Sequence, residues 1–127
     1  MSDSASGFDL QALVATFLGE SRERLDQLEE TVLVLAERPD DRAQLHEAFR
    51  ATHTLKGDGA TVGYGGLSQV AHDAEELLHR AREGRIQLEP GAAALLLQAV
   101  DVMRRLLAAP ADADLPEVTH LRERFQR

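Results

Sequence analysis

The 127-residue chain has no cysteine and no tryptophan, and its aromatic residues are four phenylalanines and one tyrosine. Without cysteine there are no disulfides, no thiolate zinc sites and no thiol catalysis. With so few rings among 43% apolar residues, the core must be built from Leu, Val and Ala. That composition favours helices over a β-sandwich. Net positive charge is missing too. A formal charge of −8 and a pI near 5.0 argue against nucleic-acid and anionic-membrane partners, which call for a basic face, and point to a protein partner. Long apolar runs are absent: the longest, residues 92–97, is far short of the ~20 residues of a membrane span. The opening MSDSASG has neither the basic region nor the apolar stretch of a signal peptide. The expectation is a cytoplasmic, all-α protein with one core, since this length suits one domain better than two.

Periodicity then places the elements. Residues 1–7 read as a flexible tail, and residues 8–127 as one domain. From Phe8, apolar positions Val14, Phe17, Leu25, Leu28, Val32 and Leu35 recur at threes and fours with Ser21 filling the gap. They predict one long helix, or two nearly continuous ones, stopped by Pro39. Asp40 or Asp41 caps a second helix carried by Leu45, Ala48, Phe49, Thr52 and Leu55. The glycine-rich stretch 57–66 is expected to end it and turn the chain. A third helix follows on Leu67, Val70, Ala71, Ala74, Leu77, Leu78 and Ala81, closed by Gly84. Pro90 opens a fourth over residues 91–109, and residues 116–127 form a short charged fifth. Four amphipathic helices with short connections predict an antiparallel four-helix bundle with a short additional C-terminal helix.

One stretch breaks the ordinary pattern. In HTLKGDGATVGY, residues 53–64, the chain places its only lysine, Lys56, three positions after His53. Five of its nine glycines fall within residues 57–66. A helical wheel sets His53 roughly 120° from the centre of its helix's apolar arc, facing solvent. Lys56 and Gly57 lie one turn on, beside it. An exposed neutral imidazole is a nucleophile at neutral pH, and a phosphoryl group placed on it needs a nearby cation, which Lys56 supplies. A glycine inside a helix costs about 1 kcal/mol relative to alanine, so Gly57 calls for a reason. Clearing space beside the imidazole for an incoming surface is one. On the third helix His72 and Glu75 lie off the apolar stripe. Either can orient His53 through one ring nitrogen and leave the other to react. Periodicity does not choose between them, although Glu75 sits nearer the stripe's edge.

These residues carry a resemblance. The run LHEAFRATHTLKGDGATVGYGGLSQVAHDAEELL, residues 45–78, resembles the histidine phosphotransfer (HPt) domain, and specifically the N-terminal phosphoacceptor domain of chemotaxis histidine kinases of the CheA kind. The match includes H-x-x-K-G, the AFRATH approach, the TVGY that follows and a His-x-x-Glu at His72 and Glu75. The resemblance implies a bundle with an exposed phosphoacceptor on its second helix. His53 would be phosphorylated, with Lys56 assisting, Gly57 leaving room, and Glu75 and His72 as hydrogen-bonding neighbours. It implies two protein partners, a histidine kinase catalytic domain that supplies the phosphoryl group and a response-regulator receiver domain whose aspartate takes it. No cofactor is expected in this domain, because ATP and Mg belong to the kinase domain, and no metal is expected. No ATP-binding glycine boxes are present. The closeness to the chemotaxis type and the charged end LRERFQR lead to the expectation that the chain is the front part of a CheA-like kinase, with a stand-alone phosphocarrier as the alternative, and that it is monomeric when isolated.

Two rival readings start from the same residues. Glu76 with His79, and Glu117 with His120, have the Glu-x-x-His spacing of di-iron bundles, whose ligands project into the core. Glu76 and His79 fall about 140–160° from their helix's apolar stripe, which argues against a metal site. A helical interaction module without phosphate chemistry is the other rival, and the presence of both His53 and Lys56 weighs against it.

Overall fold

The computed structural model describes the backbone from Ser2 to Arg127 and side chains from residue 9 onward. Five helices follow in order: α1 (Ser2–Glu37), α2 (Arg42–Val62), α3 (Gly65–Arg82), α4 (Pro90–Leu107) and α5 (Pro116–Phe125). No strand occurs among the described residues. α1 packs on α2 and α4, and α3 packs on α2 and α4, so the first four helices form a closed antiparallel square joined by short connections. α5 lies against α3 and α4. No helix of the described residues is long and apolar enough to cross a membrane.

α1 is a single helix, and Ser21 does fill the gap in its apolar stripe, buried among Phe17, Leu25, Leu28, Val32 and Leu35. Val14 is only half-buried, and Leu10 and Leu13 are exposed, so the buried part of the helix starts at Phe17. Of the tail expected over residues 1–7, Met1 lies outside the described residues, and the helix bounds take in Ser2 onward.

The caps follow local chemistry. Asp41, not Asp40, caps α2: its Oδ1 accepts the Gln44 N–H at 3.2 Å. Gly84 takes a left-handed φ of 77° after α3, with its N–H donating to the Ala81 carbonyl at 3.1 Å and the Arg85 N–H to that of Arg80 at 2.9 Å. Pro90 stands at the start of α4, where a missing N–H is no loss.

The glycine-rich stretch ends α2 and turns the chain, but only towards its far end. It does not end α2 at residue 57; the helix runs through Gly57 and Gly59 to Val62, and the turn is Gly63 and Tyr64 alone. Gly63 adopts φ 86°, and the Tyr64 N–H donates to the Gly59 carbonyl at 2.8 Å, closing the helix end. Gly59 is glycine for a different reason. A Cβ there would lie 3.2 Å from Leu67 Cδ2 and 3.3 Å from the Tyr64 carbonyl oxygen, so the bare backbone lets α3 return close against α2. Tyr64 is buried with its ring 5.0 Å from that of Phe17, fastening the turn to α1.

Polar latches hold the outer helices. The Arg104 guanidinium on α4 spans to α1, donating to Glu29 at 3.0 Å and to Asp26 at 2.8 Å. Those hydrogen bonds push its pKa above the ordinary arginine value. α5 is fixed by the Arg122 Nε–H, which donates to the nearly buried Asp73 carboxylate at 2.8 Å.

Candidate functional site

The tight α2–α3 hairpin decides which side chains meet. His53 and Lys56 lie one turn apart on α2. Glu75 comes from α3, where it is one of the few buried polar groups. Beneath them Thr52 is fully buried, its hydroxyl donating to the Ala48 and Phe49 carbonyls at 3.2 and 2.9 Å, so the inner side of this turn carries no unpaired polar atom. The Ser68 hydroxyl of α3 donates to the Lys56 carbonyl at 2.9 Å and pins the two helices level with the site.

Glu75 bridges the other two residues. Its Oε2 lies 2.5 Å from His53 Nδ1, and its Oε1 accepts from Lys56 Nζ at 2.7 Å. The carboxylate side chain is 10% exposed, that of Lys56 31% and that of His53 65%. A carboxylate only accepts hydrogen bonds, so the short contact requires the imidazole hydrogen on Nδ1. In the neutral ring the lone pair is then on Nε2, which has no hydrogen-bond partner among the described residues. Burial pushes the Glu75 carboxyl up, but hydrogen bonds and positive charge from Lys56 and His53 outweigh it and hold the carboxyl below its ordinary value. The arrangement is an exposed nitrogen nucleophile, tautomerically fixed from behind, with an ammonium one turn away. After Glu75 takes one of its three hydrogens, Lys56 has two left to donate.

Of the site residues expected from sequence, His53, Lys56 and Glu75 come together. Gly57 is on the same helical face, and a Cβ added there would meet nothing within 4 Å, so no packing within the chain demands glycine. His72 is not brought to His53. Its Nε2 lies 3.7 Å from Glu76 Oε1, and it lines a cleft with Asp73, Arg122 and Phe125 towards α5. It stands three positions before Glu75, roughly 60° around the helix, on the side that faces α5. Glu76 and His79 are both substantially exposed, at 61% and 44% of their side chains, and project away from the core.

Sequence reasoning missed two neighbours. Phe49, counted only as a core position, is half-buried one turn before His53, its ring 6.2 Å from the imidazole and nearly parallel to it at 16°. Arg82, at the end of α3, lays its guanidinium 3.9 Å from the Phe49 ring centroid. The i−4 spacing of Phe49 was a usable signal. That of Arg82 was not, because it depends on how α3 lies against α2.

Comparison with known proteins gives a consistent picture. The family model described as the Hpt domain matches residues 12–109. The sensor histidine kinase CheAY of Helicobacter pylori is 34% identical over 104 residues, which are 82% of this chain and 13% of that protein. The chemotaxis protein CheA of Treponema pallidum is 36% identical over 101 residues, 80% of this chain and 12% of that protein. The chain thus spans only a small part of the curated relatives it matches. Among solved structures, the CheA phosphotransferase domain from Thermotoga maritima superposes with a TM-score of 0.73 at 32% identity, covering 78% of this chain and 93% of that one. The phosphorylated P1 domain of CheA3, solved in complex with CheY6 from R. sphaeroides, gives 0.81 at 26% identity, covering 91% and 93%.

Proposed function

The chain belongs to the Hpt domain family, and from that premise we propose that it carries a phosphoryl group on His53 between an ATP-dependent histidine kinase domain and the aspartate of a response-regulator receiver domain. The observation that carries the reading is the Glu75 bridge, which holds Nδ1 and leaves Nε2 free on an imidazole open to solvent. Support for the receiver partner comes from the related CheA3 P1 domain, solved bound to CheY6.

In the first step the Nε2 lone pair attacks the γ-phosphorus of ATP held by the kinase domain. An N–P bond forms, the bond to the bridging oxygen breaks, and ADP leaves with that electron pair. The Nδ1 hydrogen stays on the ring, where Glu75 offsets the positive charge the substituted imidazole acquires. Lys56 turns its spare hydrogens towards the phosphoryl oxygens, and Gly57 keeps the approach clear. In the second step a receiver aspartate oxygen attacks phosphorus, and the N–P electron pair returns to Nε2. ATP and Mg act in the kinase domain, and this domain needs no cofactor of its own. His72 takes no part in these steps. The parent is a CheA-like kinase, acting on this domain from the same polypeptide or from another copy.

The test follows labelled phosphate. The domain is incubated with ATP and the kinase core of a chemotaxis-type histidine kinase, a receiver domain is then added, and wild type is compared with His53→Gln. Label is expected on wild type only, is lost in acid, survives base and moves to the receiver. Label persisting on the folded variant would place the phosphate on another of the five histidines.

A further inference from the structure

We propose that Arg82 is a positioning residue for the phosphoacceptor, holding the Phe49 ring and through it the His53 imidazole. The inference deepens the phosphotransfer reading and rests on it. Glu75 fixes one atom of the His53 ring, Nδ1. A 65% exposed side chain held at one atom can still swing about that contact. What stands in the way on the N-terminal side is Phe49, the i−4 neighbour on the same helix, with its ring nearly parallel to the imidazole.

Phe49 is itself clamped. His79 of α3 lies against it with ring centroids 5.8 Å apart, and the Arg82 guanidinium covers it at 3.9 Å. Guanidinium over an aromatic face is a favourable pairing, and the planar fork stays free to donate at its edge. Arg82 uses that edge on a neutral acceptor: its Nη1 lies 3.3 Å from His46 Nδ1, two turns before His53 on α2. Arg82 makes no ion pair with a carboxylate among the described residues, although the chain has 22 acidic ones. An arginine that merely tied the surface together would be expected to take a carboxylate. This one lies on a ring whose other neighbour is the reactive histidine. Its place in the last turn of α3, where the helix dipole favours a cation, anchors it there.

The experiment uses the full 127-residue chain as wild type, Arg82→Ala, Arg82→Lys, Phe49→Leu and the Arg82→Ala/Phe49→Leu double variant. Two quantities are read: the rate of phosphorylation by a chemotaxis-type kinase core with ATP, and NMR ring contacts between His53 and Phe49 together with the His53 tautomer. Arg82→Ala and Phe49→Leu are each expected to slow phosphorylation about five-fold, with the double variant no slower than Phe49→Leu alone, because one residue acts through the other. In Arg82→Ala the ring contacts should weaken while the Nδ1–H tautomer persists, melting should shift by only a few degrees, and Arg82→Lys should recover part of the rate. Wild-type rate with unchanged ring contacts in Arg82→Ala overturns the proposal. So do losses that multiply in the double variant, since Arg82 would then act independently of Phe49. If wild type takes no label, the phosphotransfer reading fails, and the ring contacts alone decide the positioning role.

Discussion

Glu75 shows how a single side chain makes a site out of ordinary surface residues. A histidine and a lysine one turn apart on a helix are commonplace. A nearly buried carboxylate accepting from both fixes a tautomer and keeps an ammonium close. The same contacts make stability depend on pH in a definite direction. The carboxyl is held below its ordinary value of 4.5 in the folded chain. The folded state therefore binds the proton less readily than the unfolded one, and the Glu75 contribution is fully present above 4.5 and lost as pH falls through the lower folded value. Wild type should accordingly melt higher than Glu75→Gln at neutral pH by the equivalent of about 1 kcal/mol. That gap should narrow in acid, which melting curves at pH 7 and pH 3 would check. A constant gap at both would mean that Glu75 contributes through packing and not through its charge. The sequence put Glu75 at the edge of an apolar stripe, which was enough to prefer it. It could not exclude His72, because the few tens of degrees that separate them on a wheel matter only once the angle between two helices is known.

At the scale of the element, the α2–α3 hairpin was legible as two helices joined by a glycine-rich turn, but not as a turn of two residues. Glycine density put the end of α2 and the turn somewhere within residues 57–66, and the chain spends only Gly63 and Tyr64 on the reversal. Glycines serve three ends within this short span, and composition cannot separate them. Gly63 meets a left-handed φ, Gly59 a close approach, and Gly57 faces open space. The distinction yields opposite outcomes for one substitution at two positions in one helix. Gly57→Ala should stabilise the fold by roughly 0.5–1 kcal/mol, since alanine favours the helix and meets nothing. Gly59→Ala should lose that gain and destabilise by about 1 kcal/mol, because the new methyl lies within 3.3 Å of the Tyr64 carbonyl oxygen, which the turn holds in place. Denaturant midpoints of the two variants check the signs. Should Gly57→Ala also slow phosphate uptake while raising stability, open space beside His53 is what the glycine preserves.

Across the whole molecule, the all-helical class, the order of helices and the Leu, Val and Ala core followed from what the sequence lacks and from its periodicity. On α3 the bundle interior takes six of the seven stripe residues, Leu77 being only half-buried, and adds the polar Asp73 and Glu75. What periodicity overstated is where the bundle begins. An apolar repeat from Phe8 reads like core, yet Leu10 is 60% and Leu13 53% exposed, and α1 first becomes buried at Phe17. A repeat states which side of a helix is apolar; whether another helix reaches that far is set by the lengths of α2 and α4. The family match beginning at residue 12 agrees with a domain whose folding unit starts close to that point. Removing residues 1–12 should therefore leave melting within a few degrees of wild type, as no buried side chain of the described residues is lost. Phe17 is different. It is 6% exposed and packs on Tyr64, the residue that turns α2 into α3, so Phe17→Ala should cost about 3 kcal/mol. For a domain of this size that is a fall in melting temperature of roughly 9–15 °C. If the truncation proved as damaging as Phe17→Ala, the exposed first turns of α1 would be supporting the bundle, and the buried stripe alone would not account for its stability. Equal loss of phosphate uptake in both would carry the same meaning for the site, since α1 packs on α2, the helix that carries His53.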